Sequence, residues 1–317
     1  MRVAVTGGAG FIGANLCRLL GTVGGVECVV VVDDLSTGTA ANITDLSHVE
    51  LVEDTILNPA ALDHAFASVD VVVHLAARTS VPRSVDDPVA THAVNATGTL
   101  EVLEAVRRAG GPAVVVASSS SVYGANPALP KHEDLVPMPK SPYAASKLAA
   151  ESYAAAHAVC FGLDVLVFRF FNVFGPLQAP HHTYAAAIPA FVSAALDDRP
   201  LLVYGDGRQT RDFTFVDTVA AVLSDAVLRR VTSARPVNLA FGSRVSILEV
   251  IAELESIVGH AVEVEHLPPR AGDVVASQAD GRRLGELFPC VDPVPLRAGL
   301  RATVEWFRSV EAPPRSA

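Results

Sequence analysis

The chain has 317 residues, 50% of them hydrophobic, and a formal net charge of −10 with a pI of about 5.4. This length allows one large domain or two ordinary domains, and the composition supplies a sizeable core. The acidic balance excludes the broad basic surface that a nucleic-acid-binding protein needs, so we expect no nucleic acid partner.

Signals for secretion, membranes and metals are also lacking. No charged leader precedes the first strand-like run, and the longest weakly polar run, residues 184–196, contains Pro189 and is shorter than the ~20 residues of a membrane span. The four cysteines lack metal-ligand spacing, and the adjacent His181 and His182 have no identifiable partner ligands. We expect a soluble cytoplasmic protein without a membrane segment or a metal site.

The first half of the chain alternates short β-branched runs with longer helical patterns. These patterns predict strands at residues 3–6, 28–32, 49–53, 71–75, 113–117 and 165–168, and helices at residues 11–20, 60–67, 88–109 and 143–161. Nearly continuous apolar strands separated by helices are typical of a parallel sheet that is covered on both faces. The sequence therefore predicts a doubly wound α/β sheet of the Rossmann type.

The regular alternation of strand and helix patterns ends after about Arg169, where Pro and Gly separate shorter elements. Here the patterns predict helices at residues 184–196, 216–229, 247–258 and 296–308, a strand at 237–239 and an extended segment at 262–266. We expect a smaller mixed α/β domain that caps the carboxyl edge of the sheet. The predicted division is a Rossmann domain over residues 1–170 with later returns near 205–240, a substrate domain mainly over 171–310, and a disordered tail over 311–317.

A glycine-rich segment follows the first strand and opens the first helix. Gly7 permits a tight turn, Gly10 lets the backbone approach a pyrophosphate, and Gly13 lets the helix pack on the strand. Asp33 ends the second strand 20 residues after Gly13. A carboxylate there accepts hydrogen bonds from a ribose 2′-hydroxyl and repels a 2′-phosphate, so the motif predicts NAD rather than NADP.

A second constellation joins Tyr143 and Lys147, which lie four residues apart and so share one face of the predicted helix. A nearby cation favours the phenolate and lowers the phenol pKa, so Tyr143 is a candidate acid/base. The hydroxyl run Ser118–Ser121 directly follows an apolar strand, at the sheet edge where ligands bind in open α/β folds.

Together these residues resemble the extended short-chain dehydrogenase/reductase family, also called the NAD-dependent epimerase/dehydratase family. The closest branch is the UDP-glucose and UDP-N-acetylglucosamine 4-epimerases. The similarity extends over nearly the whole chain and includes residues 33–38, 74–77, 95–98, 169–172, 204–207, 211–213 and 270–273.

The resemblance implies that Tyr143 removes the proton from the sugar 4-hydroxyl while the C4 hydride passes to NAD⁺. Lys147 would hold the nicotinamide ribose and lower the phenol pKa, and Ser119 would bridge to the same hydroxyl. The 4-keto sugar would then turn over and regain the hydride on its other face, which inverts C4 without net redox.

The sugar 4,6-dehydratases of the same family carry Asp and Glu in the two positions after the catalytic Ser or Thr. This chain has Ser120 and Ser121 there, so elimination lacks both its acid and its base, and dehydration is disfavoured.

The resemblance also implies two sets of binding residues. The NAD set is Gly7, Gly10, Phe11, Ile12, Gly13, Asp33, Asp34, Ser36, Thr37, Gly38, Asp54, Thr55, Leu75, Ala76, Ala77, Asn95, Ser118, Tyr143, Lys147, Phe170 and Val173. The substrate set, in which the arginines suit a diphosphate, is Ser119, Ser120, Asn172, Tyr184, Tyr204, Arg211, Arg270, Asp273 and Ser277.

Two positions bear on the choice of sugar. Ser277 replaces the bulky tyrosine of epimerases that are restricted to UDP-glucose and UDP-galactose, which leaves room for a 2-acetamido group. Ala179 replaces the arginine with which UDP-glucuronate 4-epimerases bind the C6 carboxylate, so an acidic sugar is disfavoured.

The predicted function is a UDP-hexose 4-epimerase that uses NAD and acts on UDP-GlcNAc/UDP-GalNAc, on UDP-glucose/UDP-galactose, or on both pairs. Two alternatives stay open: another NAD-dependent nucleotide-sugar enzyme, such as a UDP-glucuronate 4-epimerase, decarboxylase or reductase, and a catalytically idle NAD-binding regulator. The family also implies a homodimer, formed here through the helices at residues 93–109 and 143–161.

Overall fold

A computed structural model describes residues 1–179, 186–269 and 276–311, and for Glu311 only its place in a helix. Several predictions fall outside these residues: the roles of Tyr184, Arg270 and Asp273, the histidines His181 and His182, and most of the tail that is expected to be disordered.

The described residues form thirteen strands, eleven α-helices and three shorter helical turns. The strands are β1 (Arg2–Thr6), β2 (Cys28–Asp33), β3 (Val49–Glu53), β4 (Val71–His74), β5 (Ala113–Ser119), β6 (Val165–Phe170), β7 (Asn172–Phe174), β8 (Leu201–Tyr204), β9 (Thr210–Arg211), β10 (Phe213–Phe215), β11 (Val237–Leu239), β12 (Val245–Ser246) and β13 (Val264–Leu267).

The α-helices are α1 (Phe11–Leu20), α2 (Pro59–Ala65), α3 (Val81–Asp86), α4 (Pro88–His92), α5 (Gly98–Arg108), α6 (Pro142–Phe161), α7 (Ala187–Leu196), α8 (Val216–Arg229), α9 (Ile247–Val258), α10 (Arg282–Leu287) and α11 (Leu296–Glu311). A π-helix, Ala93–Thr97, joins α4 to α5, and 3₁₀ turns lie at Ala40–Asn42 and Ser120–Tyr123.

Seven of the strands form one parallel sheet in the order β11-β6-β5-β4-β1-β2-β3. The chain adds strands on one side of β1 as far as β3 and then crosses to β4 on the other side. Such a reversal opens a crevice at the carboxyl ends of the central strands, where open α/β sheets bind their ligands. The predicted doubly wound Rossmann-type fold is confirmed.

Helices cover both faces of this sheet. On one face, α1 and α8 contribute Leu16 and Val222 to a core that also contains Val3 and Val31 of the sheet. On the other face, α2, α5 and α6 pack against alternate residues of the same strands. Because both faces are buried, the strands consist of nearly continuous apolar runs rather than alternating ones.

A third core lies in the C-terminal half, where α7, α9 and α11 pack around β8 and β10. The chain returns to the main sheet at β11, which pairs with β6 in the register Asn238↔Arg169. The division into two domains stays a prediction. Among the described helices, none has the length and apolar character that a membrane crossing requires.

Sequence patterns located the strands of the main sheet and the long helices to within a few residues and missed several short elements. The helix predicted over residues 88–109 is interrupted by the π-helix, and β7, β8, β9, β10, β12, α3 and α10 were not predicted. The missed elements have two to six residues, and most of the strands of similar length that were predicted are nearly continuous apolar runs of the main sheet.

Candidate active site

The glycine loop lies at the carboxyl end of β1, against the loop that follows β4. Gly7 has a φ of 73°, and a Cβ on it would lie 2.7 Å from the backbone nitrogen of Ala76. A Cβ on Gly13 would lie only 2.2 Å from the carbonyl oxygen of Gly7, so α1 packs directly on the loop. Two positions of the predicted motif therefore require glycine on steric grounds.

The amino end of α1 suits an anion. Its N-cap, Gly10, provides no side-chain cap, and the first turn contains no acidic residue. The first N–H groups of α1 therefore have no side-chain acceptor. Together with the positive end of the helix dipole, they suit an anion at the carboxyl end of β1.

Asp33 fixes the shape of the glycine loop. Its buried carboxylate accepts hydrogen bonds from the backbone nitrogens of Ala9 and Leu35, each at 2.9 Å. Burial raises the pKa of this carboxyl, and the two N–H bonds oppose that shift. Each oxygen keeps a lone pair for a ribose hydroxyl, so loop and carboxylate together fit a dinucleotide.

Gly13→Ala is expected to destabilise the protein by about 1–3 kcal/mol or more, because the new methyl overlaps the Gly7 carbonyl. The variant should also lose bound dinucleotide. Thermal unfolding and the cofactor content of the purified protein measure both effects. Gly285→Ala in α10 is the matched control, since a Cβ there meets nothing within 4 Å. A Gly13 variant with the stability of the control would contradict the packing argument.

Most of the other predicted cofactor residues follow strands at this same edge. Asp34 to Gly38 follow β2, Leu75 to Ala77 follow β4, and Phe170 ends β6. Asp54 differs from them, because Thr55 and Asn58 of its own turn donate to its two oxygens at 2.7 and 2.8 Å. Its predicted contact with adenine stays a prediction.

Tyr143 lies in the first turn of α6, where Ser141 is the N-cap and Pro142 occupies the first helical position. Ser119 ends β5 and caps the following 3₁₀ turn. A hydrogen bond between the Ser119 and Tyr143 side chains lowers the phenol pKa, but burial raises it by more, so the net pKa of Tyr143 is raised.

Lys147 is buried one turn further along α6, and its ammonium donates to the Ala117 carbonyl at 2.9 Å. Burial lowers its pKa to about 8, and the Glu151 carboxylate opposes this shift. The resolved causes of the Tyr143 pKa shift are burial and the Ser119 hydrogen bond, so the expectation that Lys147 lowers this pKa stays a prediction.

A buried ion pair beneath these groups was not predicted. Glu151 accepts from Arg169 Nε and Nη2 at 2.9 and 2.8 Å, and from the Ser118 hydroxyl at 2.5 Å. The Arg169 guanidinium also lies 4.7 Å from the centre of the Tyr123 ring. The signal in the sequence was a carboxylate four residues after Lys147, in a helix that contains no other carboxylate. The Ser118 hydroxyl is used here, so its predicted contact with the cofactor stays a prediction.

A second buried network joins the glycine loop to the π-helix before α5. The Thr99 hydroxyl donates to the Asn95 carbonyl at 2.6 Å, so it accepts from His74 Nε2 at 2.9 Å. His74 Nδ1 then accepts from the Thr6 hydroxyl at 2.7 Å. Burial lowers the His74 pKa to about 3, so this ring is neutral and serves as a fixed link.

Asn95 extends this network to α6. Its side chain holds the backbone N–H and carbonyl of Arg78 at 2.8 and 3.1 Å and donates to the Ser146 hydroxyl at 3.0 Å. Ser146 in turn donates to the Tyr143 carbonyl at 2.8 Å. Asn95 therefore positions the loop after β4 relative to Tyr143.

The predicted substrate residues that the structure describes lie mostly in one region beyond the edge of the sheet. Asn172 donates to the Asp212 carbonyl, Arg211 lies in β9, and the Ser277 N–H donates to the Thr210 carbonyl at 3.0 Å. Tyr204 ends β8. Within the described ranges, no three His, Cys, Asp or Glu side chains converge as a metal site.

Comparison with known proteins decides the family. A sequence model of the NAD dependent epimerase/dehydratase family matches residues 3–240. The chain belongs to this family. It is therefore a family enzyme whose cofactor is NAD, as the glycine loop and Asp33 predict, and solved relatives contain NAD.

Its relatives include epimerases for different sugars. A UDP-glucose 4-epimerase of Mycolicibacterium smegmatis is 40% identical over 98% of this chain and 99% of its own length. A UDP-N-acetylglucosamine 4-epimerase of Methanobrevibacter ruminantium, solved with UDP-N-acetylmuramic acid, has a TM-score of 0.92 at 34% identity and covers 98% of both chains.

A UDP-glucuronic acid 4-epimerase of Bacillus cereus, solved with UDP-glucuronic acid and NAD, has a TM-score of 0.89 at 32% identity over 98% of this chain and 100% of that one. The family enzymes similar to this chain thus act on neutral, N-acetylated and acidic sugars.

Proposed function

We propose that this enzyme is a UDP-hexose 4-epimerase, acting on UDP-GlcNAc/UDP-GalNAc, on UDP-glucose/UDP-galactose, or on both pairs. The observation that carries the proposal is the composition of the segment around the acid/base. Ser119 contacts Tyr143, and the next two positions, in the 3₁₀ turn, are Ser120 and Ser121. A site with one phenol and only hydroxyls beside it suits reversible oxidation at C4 and lacks the carboxyl groups that elimination needs.

Bound NAD would supply the acceptor and donor of hydride for this chemistry. The glycine loop and the amino end of α1 would hold its pyrophosphate, and Asp33 its ribose.

Side chains of the protein would carry out the proton transfers. The Tyr143 phenolate would take the proton of the sugar 4-hydroxyl, and Ser119 would orient that hydroxyl through its hydrogen bond to the phenol. Because burial raises the phenol pKa, the phenolate depends on positive charge nearby when the site is loaded. Lys147 donates to the Ala117 carbonyl and its charge is favoured by Glu151, so it would be the protein's cation for this purpose below a pH of about 8.

The test is incubation of the purified protein, without added cofactor, with UDP-GlcNAc, UDP-glucose and UDP-glucuronate, followed by chromatographic separation of the C4 epimers. We expect inversion of the neutral or N-acetylated sugars without a change in NADH absorbance, and the slowest reaction with UDP-glucuronate. Net production or consumption of NADH would favour a decarboxylase or reductase instead.

Ser277→Tyr is expected to reduce activity on UDP-GlcNAc by about tenfold or more relative to UDP-glucose, because a bulky ring would occupy the space of the acetamido group. The ratio of kcat/KM for the two substrates measures this effect. Ser277→Thr, which adds one methyl group, is the control and should change the ratio little. An equal loss of kcat/KM for both sugars would show that Ser277 does not select the substrate.

A homodimer through residues 93–109 and 143–161 is also proposed. The outer face of α6 supports it, since Tyr153, Val159 and Phe161 are 41%, 86% and 52% exposed. Sedimentation of the purified protein gives the oligomeric state.

A further inference from the structure

Asp212 is a carboxylate that is completely buried between β9 and β10, with an exposure of 0%. Its Oδ2 accepts from the backbone nitrogens of Gly242 and Ala279, both at 3.0 Å. Its Oδ1 accepts from the nitrogen and hydroxyl of Ser243, at 3.2 and 2.8 Å. These four donors are neutral, so fixed dipoles replace the hydration that the carboxylate would have in water.

These bonds join three separate segments of the chain. Asp212 continues the segment of β9, residues 242–243 form the loop after β11, and Ala279 belongs to the segment that contains Ser277. The Gln278 side chain donates to the Gly242 carbonyl at 2.9 Å and so fastens the last two segments to each other.

The backbone of the same residue connects a fourth segment. The Asp212 carbonyl accepts from Asn172 twice, from its backbone nitrogen at 3.1 Å and from its side chain at 3.2 Å. One residue thus fixes Asn172, the neighbouring Arg211 and the segment of Ser277 relative to one another.

We propose that Asp212 is the positioning residue for the nucleoside diphosphate half of the substrate. This inference rests on the proposed function and on the prediction from the sequence that Asn172, Arg211 and Ser277 bind the substrate. Asp212 is fully buried and touches no ligand itself. It acts through the segments that it holds, whose correct spacing allows several groups to bind one diphosphate at once.

The two oxygens of Asp212 accept from different segments. The loss of nucleotide binding should therefore depend on how many of these bonds a substitution removes. Asn at this position can place its oxygen at the Oδ2 position and keep the bonds from Gly242 and Ala279, while losing the bond from the Ser243 nitrogen. Ala removes every side-chain bond and releases the Ser277 segment. Asp212→Asn should therefore impair nucleotide binding less than Asp212→Ala.

The experiment is calorimetric titration of the NAD-containing enzyme with UDP. We expect Asp212→Ala to weaken UDP binding by about tenfold or more, with NAD content retained. The KM for the sugar nucleotide should rise by a similar factor, while kcat changes by less than about twofold. Ser243→Ala is the matched control, since it removes one bond to Asp212 but leaves the Ala279 tether, and its UDP affinity should stay within about twofold of the wild type.

The outcomes separate the two proposals. A folded Asp212→Ala protein that binds UDP as tightly as the wild type overturns the role of Asp212 and leaves the epimerase proposal standing. A wild-type protein that does not bind UDP at all overturns both. If Asp212→Ala does not fold, Gln278→Ala decides: weaker UDP binding with normal NAD content supports the inference, and unchanged binding overturns it.

Discussion

Tyr143→Phe is expected to slow C4 inversion by about 10²-fold or more, in a protein that remains folded and keeps its NAD. The substitution removes only the hydroxyl that contacts Ser119 and leaves the ring in the first turn of α6. The two positions after Ser119 carry hydroxyls rather than carboxyl groups, and the Tyr123 phenol of the same 3₁₀ turn donates to Asn238 at 2.6 Å. The rate of epimer formation and the NAD released on denaturation measure the two expectations.

Tyr153→Phe is the matched control for this variant. Tyr153 lies on the same helix, is 41% exposed, and should lose its hydroxyl without effect on turnover. A Tyr143→Phe enzyme with the rate of the control would refute the acid/base role. A wild-type protein that binds NAD but inverts no sugar, and does not differ from the variant, would favour the idle regulator.

The second large effect concerns the buried ion pair. Arg169→Met is expected to destabilise the protein by about 3–5 kcal/mol, because it leaves the Glu151 carboxylate buried without its cation. The two side chains belong to residues that are only 3% and 7% exposed, and their contact is bidentate. The lost contact of the guanidinium with the Tyr123 ring adds to the cost. Chemical denaturation measures the free energy of unfolding.

Two further variants show whether the unpaired charge is the cause. Glu151→Gln combined with Arg169→Met removes both charges and keeps an acceptor for the Ser118 hydroxyl, so it should regain much of the lost stability. Arg282→Met breaks an exposed pair with Asp280, in which the arginine side chain is 84% exposed, and should change stability little. A double variant as unstable as the single one would show that side-chain shape, rather than charge, is responsible.

This ion pair also explains how a lysine can be buried beneath the acid/base. Lys147 is desolvated, which lowers its pKa to about 8, and Glu151 is the carboxylate that opposes this shift. Arg169 holds Glu151 in place from β6. The stability of the fold and the charge of the proposed catalytic lysine therefore depend on the same carboxylate.

Local sequence signals were sufficient where a short segment carries its own geometry. The glycine loop needs glycine because its neighbours in sequence, Gly7 and Gly13, approach each other too closely for a Cβ. The helix positions of Tyr143 and Lys147 follow from a spacing of four residues. The order of apolar strands and helices determined the doubly wound fold, because each strand is buried on both faces.

Contacts between distant segments were decided only by the tertiary structure. The sequence gives no sign that Asp212 meets Ala279 or that Thr6 and Thr99 share His74. It marks Glu151 by its position after Lys147 but does not identify Arg169 as its partner. It also gives no measure of the burial that raises the Tyr143 pKa, since the desolvation of a phenol depends on everything packed around it. Spacing along the chain determines which groups can share a helix face, whereas burial and long-range hydrogen bonds determine their charge and position.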